Sequence, residues 1–259
     1  MVAPVPQSCF RDFIRAVCEN YYSEEDAAEF GEIEDWDTSL INDMSRAFVG
    51  RATFNRDISR WDTSHVTNMV YMFCNAKTFN QPLGEWDVSQ VTDMSGMFRG
   101  AWEFNQELGA WDTGRVRTMM SMFSGARAFN QGLGRWDTRQ VTIMSYMFHD
   151  ARAFNQPLER WDTGRVVSMI CMFSGAKAFD QPLDRWDLSR CPLCKFAFMF
   201  AGANAFRRRF AYWDATCFRS FAGDITEVEA VEVVWVLFPS NELRVGRRTI
   251  VFPEDEESP

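Results

Sequence analysis

WDTSHVTNMVYMFCNAKTFNQPLGE (61–85) and WDVSQVTDMSGMFRGAWEFNQELGA (86–110) can be laid over one another residue by residue. The Trp opening each segment recurs as Trp36, Trp61, Trp86, Trp111, Trp136, Trp161 and Trp186, every 25 residues, and Trp213 follows two residues out of step. Each is followed by Asp. A fixed period of this length marks a chain of supersecondary units that cannot bury their apolar faces alone and must stack. Nothing between residues 30 and 215 interrupts the pattern, so the 259-residue chain reads as one domain.

Counting from each Trp as position 0, the apolar places are 5 (Val66, Val91, Val116), 8 and 11 (Met94, Met97), 12 (Phe73, Phe98, Phe123), 18 (Phe79, Phe104) and 22 (Leu83, Leu108). Positions 8, 11 and 12 have the i, i+3, i+4 spacing of one helix face. Position 7 carries helix-capping residues in five of six repeats, as in Asp43, Asn68 and Asp93. Position 14 holds only Gly, Asn or Asp, which tolerate a left-handed close. The pattern predicts a two-turn helix over positions 8–13. Before it, Asp-Thr-Ser-x-Val-Thr predicts one brief strand, parallel to its copies, and Phe-Asn-Gln-Pro-Leu an irregular return.

Residues 1–30 are read as a helical N-terminal cap. Phe10, Phe13, Ile14, Val17, Cys18 and Tyr21 share one helical face, with Ser8 as N-cap. The solenoid of about seven repeats then occupies 31–214. The register slips at CPLCKFAFMF (191–200), and 215–253 is expected to form a C-terminal cap of strands or buried helix. An acidic disordered tail is expected at 254–259.

Net charge is −9, which does not favour nucleic-acid binding. The charge is uneven: residues 1–50 carry 11 acids against 3 bases, and 101–200 carry 12 bases against 10 acids. The seven cysteines never repeat a position, so reduced thiols are expected rather than a disulfide ladder. No basic region followed by an apolar run opens the chain, and no apolar stretch is long enough to span a membrane. The cytoplasm is the default expectation, with no membrane span.

The segment AAEFGEIEDWDTSLINDMSRAF (27–48), followed by FNxxI/L, WDxSxVTxM and MFxxAxxFNQPL, resembles the BspA-type leucine-rich-repeat surface proteins. The nearest in pattern carry the repeat first described in mycoplasma lipoproteins. The resemblance covers about residues 10–214. It implies a leucine-rich-repeat-like α/β solenoid used for protein–protein contact, often at a cell surface, with no catalytic residues to carry over. A lipobox cysteine near the start and an anchor are not seen here.

Candidate functional columns follow. The Asp ladder (Asp62, Asp87, Asp112 and its copies) reads either as Asx-turns onto the following backbone or as a run of Ca²⁺ ligands. The Asn column (Asn80, Asn105, Asn130) reads as a ladder satisfying backbone groups, and the Met columns as core. Cys191-Pro-Leu-Cys194 lacks the second pair a zinc site needs. His65 and His149 are too far apart in register to cooperate. A WD propeller fails because its blades need more residues than this period supplies. A Thr67, Thr92, Thr142 ice- or polymer-binding column is broken by Arg117 and Val167.

No catalytic triad, phosphate loop or metal cluster is visible, so no enzyme and no cofactor are expected. At positions 4 and 6, Arg115, Arg117, Arg165 and Arg190 make the outward face basic, with Arg207, Arg208 and Arg209 extending it. The expectation is a non-enzymatic, monomeric scaffold that binds another protein, preferably an acidic segment, along its strand face. The alternative is a calcium-dependent cell-surface adhesin using the Asp ladder.

Overall fold

The computed structural model describes residues 2–191 and 198–206, together with the backbone of 242–245 and 248–251. Its repeats contain neither of the elements expected of them. Among the described residues of 36–206 there is no α-helix and no β-strand, so the α/β solenoid with a strand and a helix per repeat is overturned. Successive repeats instead meet through one parallel bridge each, at position 7: Asp43 to Asn68, Asn68 to Asp93, Asp93 to Thr118, Thr118 to Ile143 and Ile143 to Ser168.

Hydrogen bonding explains both corrections. Over positions 8–15, every second backbone N–H leaves its own repeat. In one central repeat, the N–H groups of Met94, Gly96, Phe98 and Gly100 donate to the carbonyls of Thr118, Met120, Met122 and Ser124, at 2.7–3.1 Å. The alternate N–H groups close tight turns locally: Met97 to Met94, Arg99 to Gly96 and Ala101 to Phe98. A helix needs all of these donors for its own i−4 carbonyls. Position 10 is also left-handed in every described copy, from Arg46 (φ 58°) through Tyr71, Gly96, Ser121, Tyr146 and Cys171 to Phe198 (φ 55°). Positive φ at the third residue is what a type II turn demands, and it ends any right-handed helix. Position 14 is left-handed as well, but as the same place in the third turn rather than as a helix stop (Gly100, φ 68°; Asn75, φ 60°).

The strand fails for lack of length. A turn closed by Val116 N–H to the Thr113 carbonyl precedes the bridge, and the Met119 to Met122 turn follows it. Between these turns the chain makes a single bridge, with Arg117 N–H reaching the Thr92 carbonyl at 2.8 Å and Met94 N–H the Thr118 carbonyl at 3.1 Å.

The apolar positions point inward and stack on their copies. Phe73, Phe98, Phe123 and Phe148 are fully buried, with ring centroids 5.5–5.7 Å apart and planes within 8°. The position-18 column from Phe79 to Phe179 steps by 6.0–6.1 Å and lies 4.0–4.1 Å from the first. Trp111, Trp136, Trp161 and Trp186 stack 6.2–6.4 Å apart. Their indole N–H groups, the one polar handle on each ring, donate at 2.9–3.0 Å to the buried carbonyls of Leu83, Leu108, Leu133 and Leu158.

At the start of the stack, α1 (Phe10–Cys18) lays Phe10 and Ile14 on the first repeats, Phe10 meeting Trp61 edge-on at 5.5 Å. Its N-cap position is Cys9, not Ser8, and Tyr21 lies beyond it, 52% exposed. A second helix, α2 (Glu24–Phe30), is capped by Ser23, whose hydroxyl accepts the Asp26 N–H at 3.0 Å. Glu24, Glu25 and Asp26 in its first turn suit the positive end of the helix dipole. Far along the chain, β1 (Glu242–Val245) pairs antiparallel with β2 (Arg248–Val251). Trp213, Cys194, Arg207 to Arg209, the rest of 215–253 and the tail at 254–259 lie outside the described residues.

Candidate functional site

A stacked core leaves only the outward columns for chemistry. The Asp column is committed to its own backbone. Asp62 Oδ1 accepts the Ser64 N–H at 3.0 Å, Asp87 that of Ser89 at 2.8 Å, and Asp112 that of Gly114 at 3.0 Å. The Ser64 hydroxyl and backbone hold the Asp62 carboxyl below its ordinary range. Asp137 is held low by the Arg139 guanidinium, which grips both its oxygens. Among the described residues no three His, Cys, Asp or Glu side chains converge where a metal ion would sit.

The Asn column is half-buried and links repeats. Asn80 Oδ1 accepts the Asn105 N–H at 2.9 Å and the Gln106 side-chain amide at 3.0 Å. Asn105 does the same for Asn130 and Gln131. No disulfide joins the described cysteines. Burial pushes the Cys18 and Cys74 thiols up, the direction of inert rather than nucleophilic sulfur.

Arg115, Arg117, Arg165 and Arg190 are all exposed. They flank the bridge edge, because position 5 between them turns its Val into the core. Arg115 donates to Gln90 Oε1 at 2.5 Å and Arg165 to Gln140 Oε1 at 3.1 Å, each reaching back one repeat. None of the four forms an ion pair among the described residues, whereas most of the cations near the N-terminus are paired. Arg11 pairs with Asp43 at 2.8 Å, Arg51 with Glu19 at 2.7 Å, and Arg56 with Glu32 and Glu34. The acidic excess of the first 50 residues is thus partly neutralised at that end.

A second cationic column, at position 16, escaped the sequence reading: Lys77, Trp102, Arg127, Arg152 and Lys177. It was available there as a variable column carrying one sign of charge. A shallow groove of about 640 Å³ runs elsewhere across positions 20–24, lined by both signs of charge, among them Glu85, Glu107, Glu159, Arg135 and Arg160.

The family described as "Mycoplasma protein of unknown function, DUF285" matches residues 17–133 and again 103–213. The two matches overlap within the repeats, at residues 103–133. No curated protein matches the chain.

Proposed function

We propose that this chain, which belongs to the DUF285 family of proteins of unknown function, is a non-enzymatic scaffold that binds another protein along its bridge edge. The observation that carries this reading is the set of exposed arginines at positions 4 and 6 that form no ion pair among the described residues, presented on hydrogen-bonded repeats. Arginine is enriched among residues that dominate binding energy, and unpaired guanidiniums recognise carboxylates in a bidentate way. An acidic partner segment therefore suits the edge. The likeness to BspA-type surface proteins, whose repeats serve protein contact, supports a binding role and a cell-surface setting.

The test compares wild type with Arg115→Glu/Arg117→Glu/Arg165→Glu. A partner captured from native lysate by wild type is purified and titrated against both proteins. Weakening of at least tenfold, with an unchanged thermal melt, supports the assignment. Equal binding by both proteins removes function from this edge.

A further inference from the structure

The position-16 column is a row, or rail, of four cations interrupted by Trp102. Backbone N–H groups of Glu103, Ala128, Ala153 and Ala178 donate to the carbonyls of Lys77, Trp102, Arg127 and Arg152, at 3.0–3.2 Å. Each repeat therefore offers one side chain per tier in a register the backbone fixes. Lys77 Nζ lies 4.2 Å from the Trp102 ring centroid and the Arg127 guanidinium 4.3 Å from it. One comes from the repeat before and one from the repeat after, so they cover opposite faces of the ring. Trp102 keeps 37% of its surface exposed. Cation–π contact holds the two charges in place without neutralising them. Arg152 is held by Asp150 at 2.9 Å, with Arg127 4.0 Å from the same carboxylate. Lys177 and the nearby Arg99 are exposed and form no ion pair among the described residues, and Glu103 is the other acid beside the rail.

We propose that this rail is a second docking surface, distinct from the bridge edge, and that it takes an extended acidic segment of a partner protein running along the stack. The tier spacing carries the choice of partner. Two residues further along each repeat, the position-18 rings step by 6.0–6.1 Å. Alternate side chains of an extended strand recur at about 6.6–6.8 Å on one face. The mismatch is under about 1 Å per tier, within the reach of flexible Lys and Arg stems. A segment with Glu or Asp at every second residue thus meets a cation at four of the five tiers, two of them sharing Asp150, and at the fifth the exposed part of Trp102 supplies an apolar contact of the kind found at binding hot spots. A nucleic-acid strand fits less well. Such strands use free aromatic faces for base stacking, and both faces of Trp102 are taken.

The experiment titrates the full-length chain with fluorescein-labelled peptides and reads anisotropy. One peptide alternates Glu and Thr, a second has the same composition with its Glu residues in one block, and the third probe is an oligothymidylate. The proposal expects the alternating peptide to bind at least tenfold more tightly than the block peptide. It expects a tenfold or greater loss in Lys77→Glu/Lys177→Glu and little change in Arg185→Glu, an exposed arginine outside both surfaces. Trp102→Ala should weaken binding severalfold. Each variant is melted first; Trp102, Lys177, Arg115 and Arg165 are exposed and Lys77 is half-buried, and the melts should stay close to wild type. Loss of peptide binding only in the Arg115→Glu/Arg165→Glu protein overturns the rail while leaving the bridge edge intact. Equal affinity for both peptides, no peptide binding, or preferential binding of the oligothymidylate also overturns it.

Discussion

Replacing Phe123 with Ala tests whether the stacked columns hold the repeats together. The ring is fully buried, 5.6 Å from Phe98 and 5.7 Å from Phe148 above and below, and 4.1 Å from Phe129 at its side. The backbone cannot close over the gap, because Phe123 N–H is bonded to the Met147 carbonyl at 2.9 Å and the Ala126 N–H returns to the Phe123 carbonyl at 3.0 Å. A void on the order of 100 Å³ then persists, and at about 24 cal/mol per Å³ it costs about 2.4 kcal/mol. Lost transfer of the ring from water adds about 2 kcal/mol. The expected destabilisation is thus about 4 kcal/mol, with Arg115→Ala on the outer edge staying within about 0.5 kcal/mol. Urea unfolding followed by circular dichroism measures both, and an unchanged m-value shows whether the array still unfolds as a unit. A loss below about 1 kcal/mol for Phe123→Ala would refute the packing argument, since no rearrangement short of a different stack fills that space.

Three further outcomes follow from the same geometry. A Cβ on Gly96 would lie within 2.2 Å of the Tyr71 ring at a backbone φ of 61°. Gly96→Ala should therefore cost about 1–3 kcal/mol, and a double-mutant cycle with Tyr71→Ala should recover at least about 0.5 kcal/mol. Additive losses would mean backbone strain alone is responsible. Asn105→Ala strips the acceptor from the half-buried Asn130 N–H and the Gln131 amide, an expected loss of about 1–3 kcal/mol by chemical denaturation; a neutral result would place water in that ladder. Asp57, Asp62 and Asp137 are held below the ordinary carboxylate range by hydrogen bonds from Ser59, Ser64 and Arg139 respectively. A depressed folded-state value gives stability that is present above the unfolded value of about 3.9 and lost as pH falls through the folded one. The melting temperature should consequently fall below about pH 4, and a melt that rises there would contradict these assignments.

Several features were legible in the residues themselves. The 25-residue register, the inward columns of Trp, Val, Met, Phe and Leu, and the tolerance of position 14 for a left-handed backbone all follow from identities that recur at fixed places. The outward arginines were legible as well, because a stack constrains its inner positions and frees its outer ones. Hidden from the sequence was the destination of the backbone donors. Apolar groups at positions 8, 11 and 12 are spaced alike in a helix and in a run of three tight turns, and only the second sends Phe98 N–H to Met122 instead of back to its own repeat. Position 10 gave no warning, since Arg46, Tyr71, Ser121, Tyr146 and Cys171 are not residues that prefer positive φ, and Gly96 is the single exception. Their left-handed turns are imposed by the hydrogen bonds to the next repeat, a non-local cause that no local propensity encodes. The cation rail belongs to the same class. Lys77, Trp102 and Arg127 are 25 residues apart in sequence, and only the stacking of repeats brings two charges onto the faces of one ring.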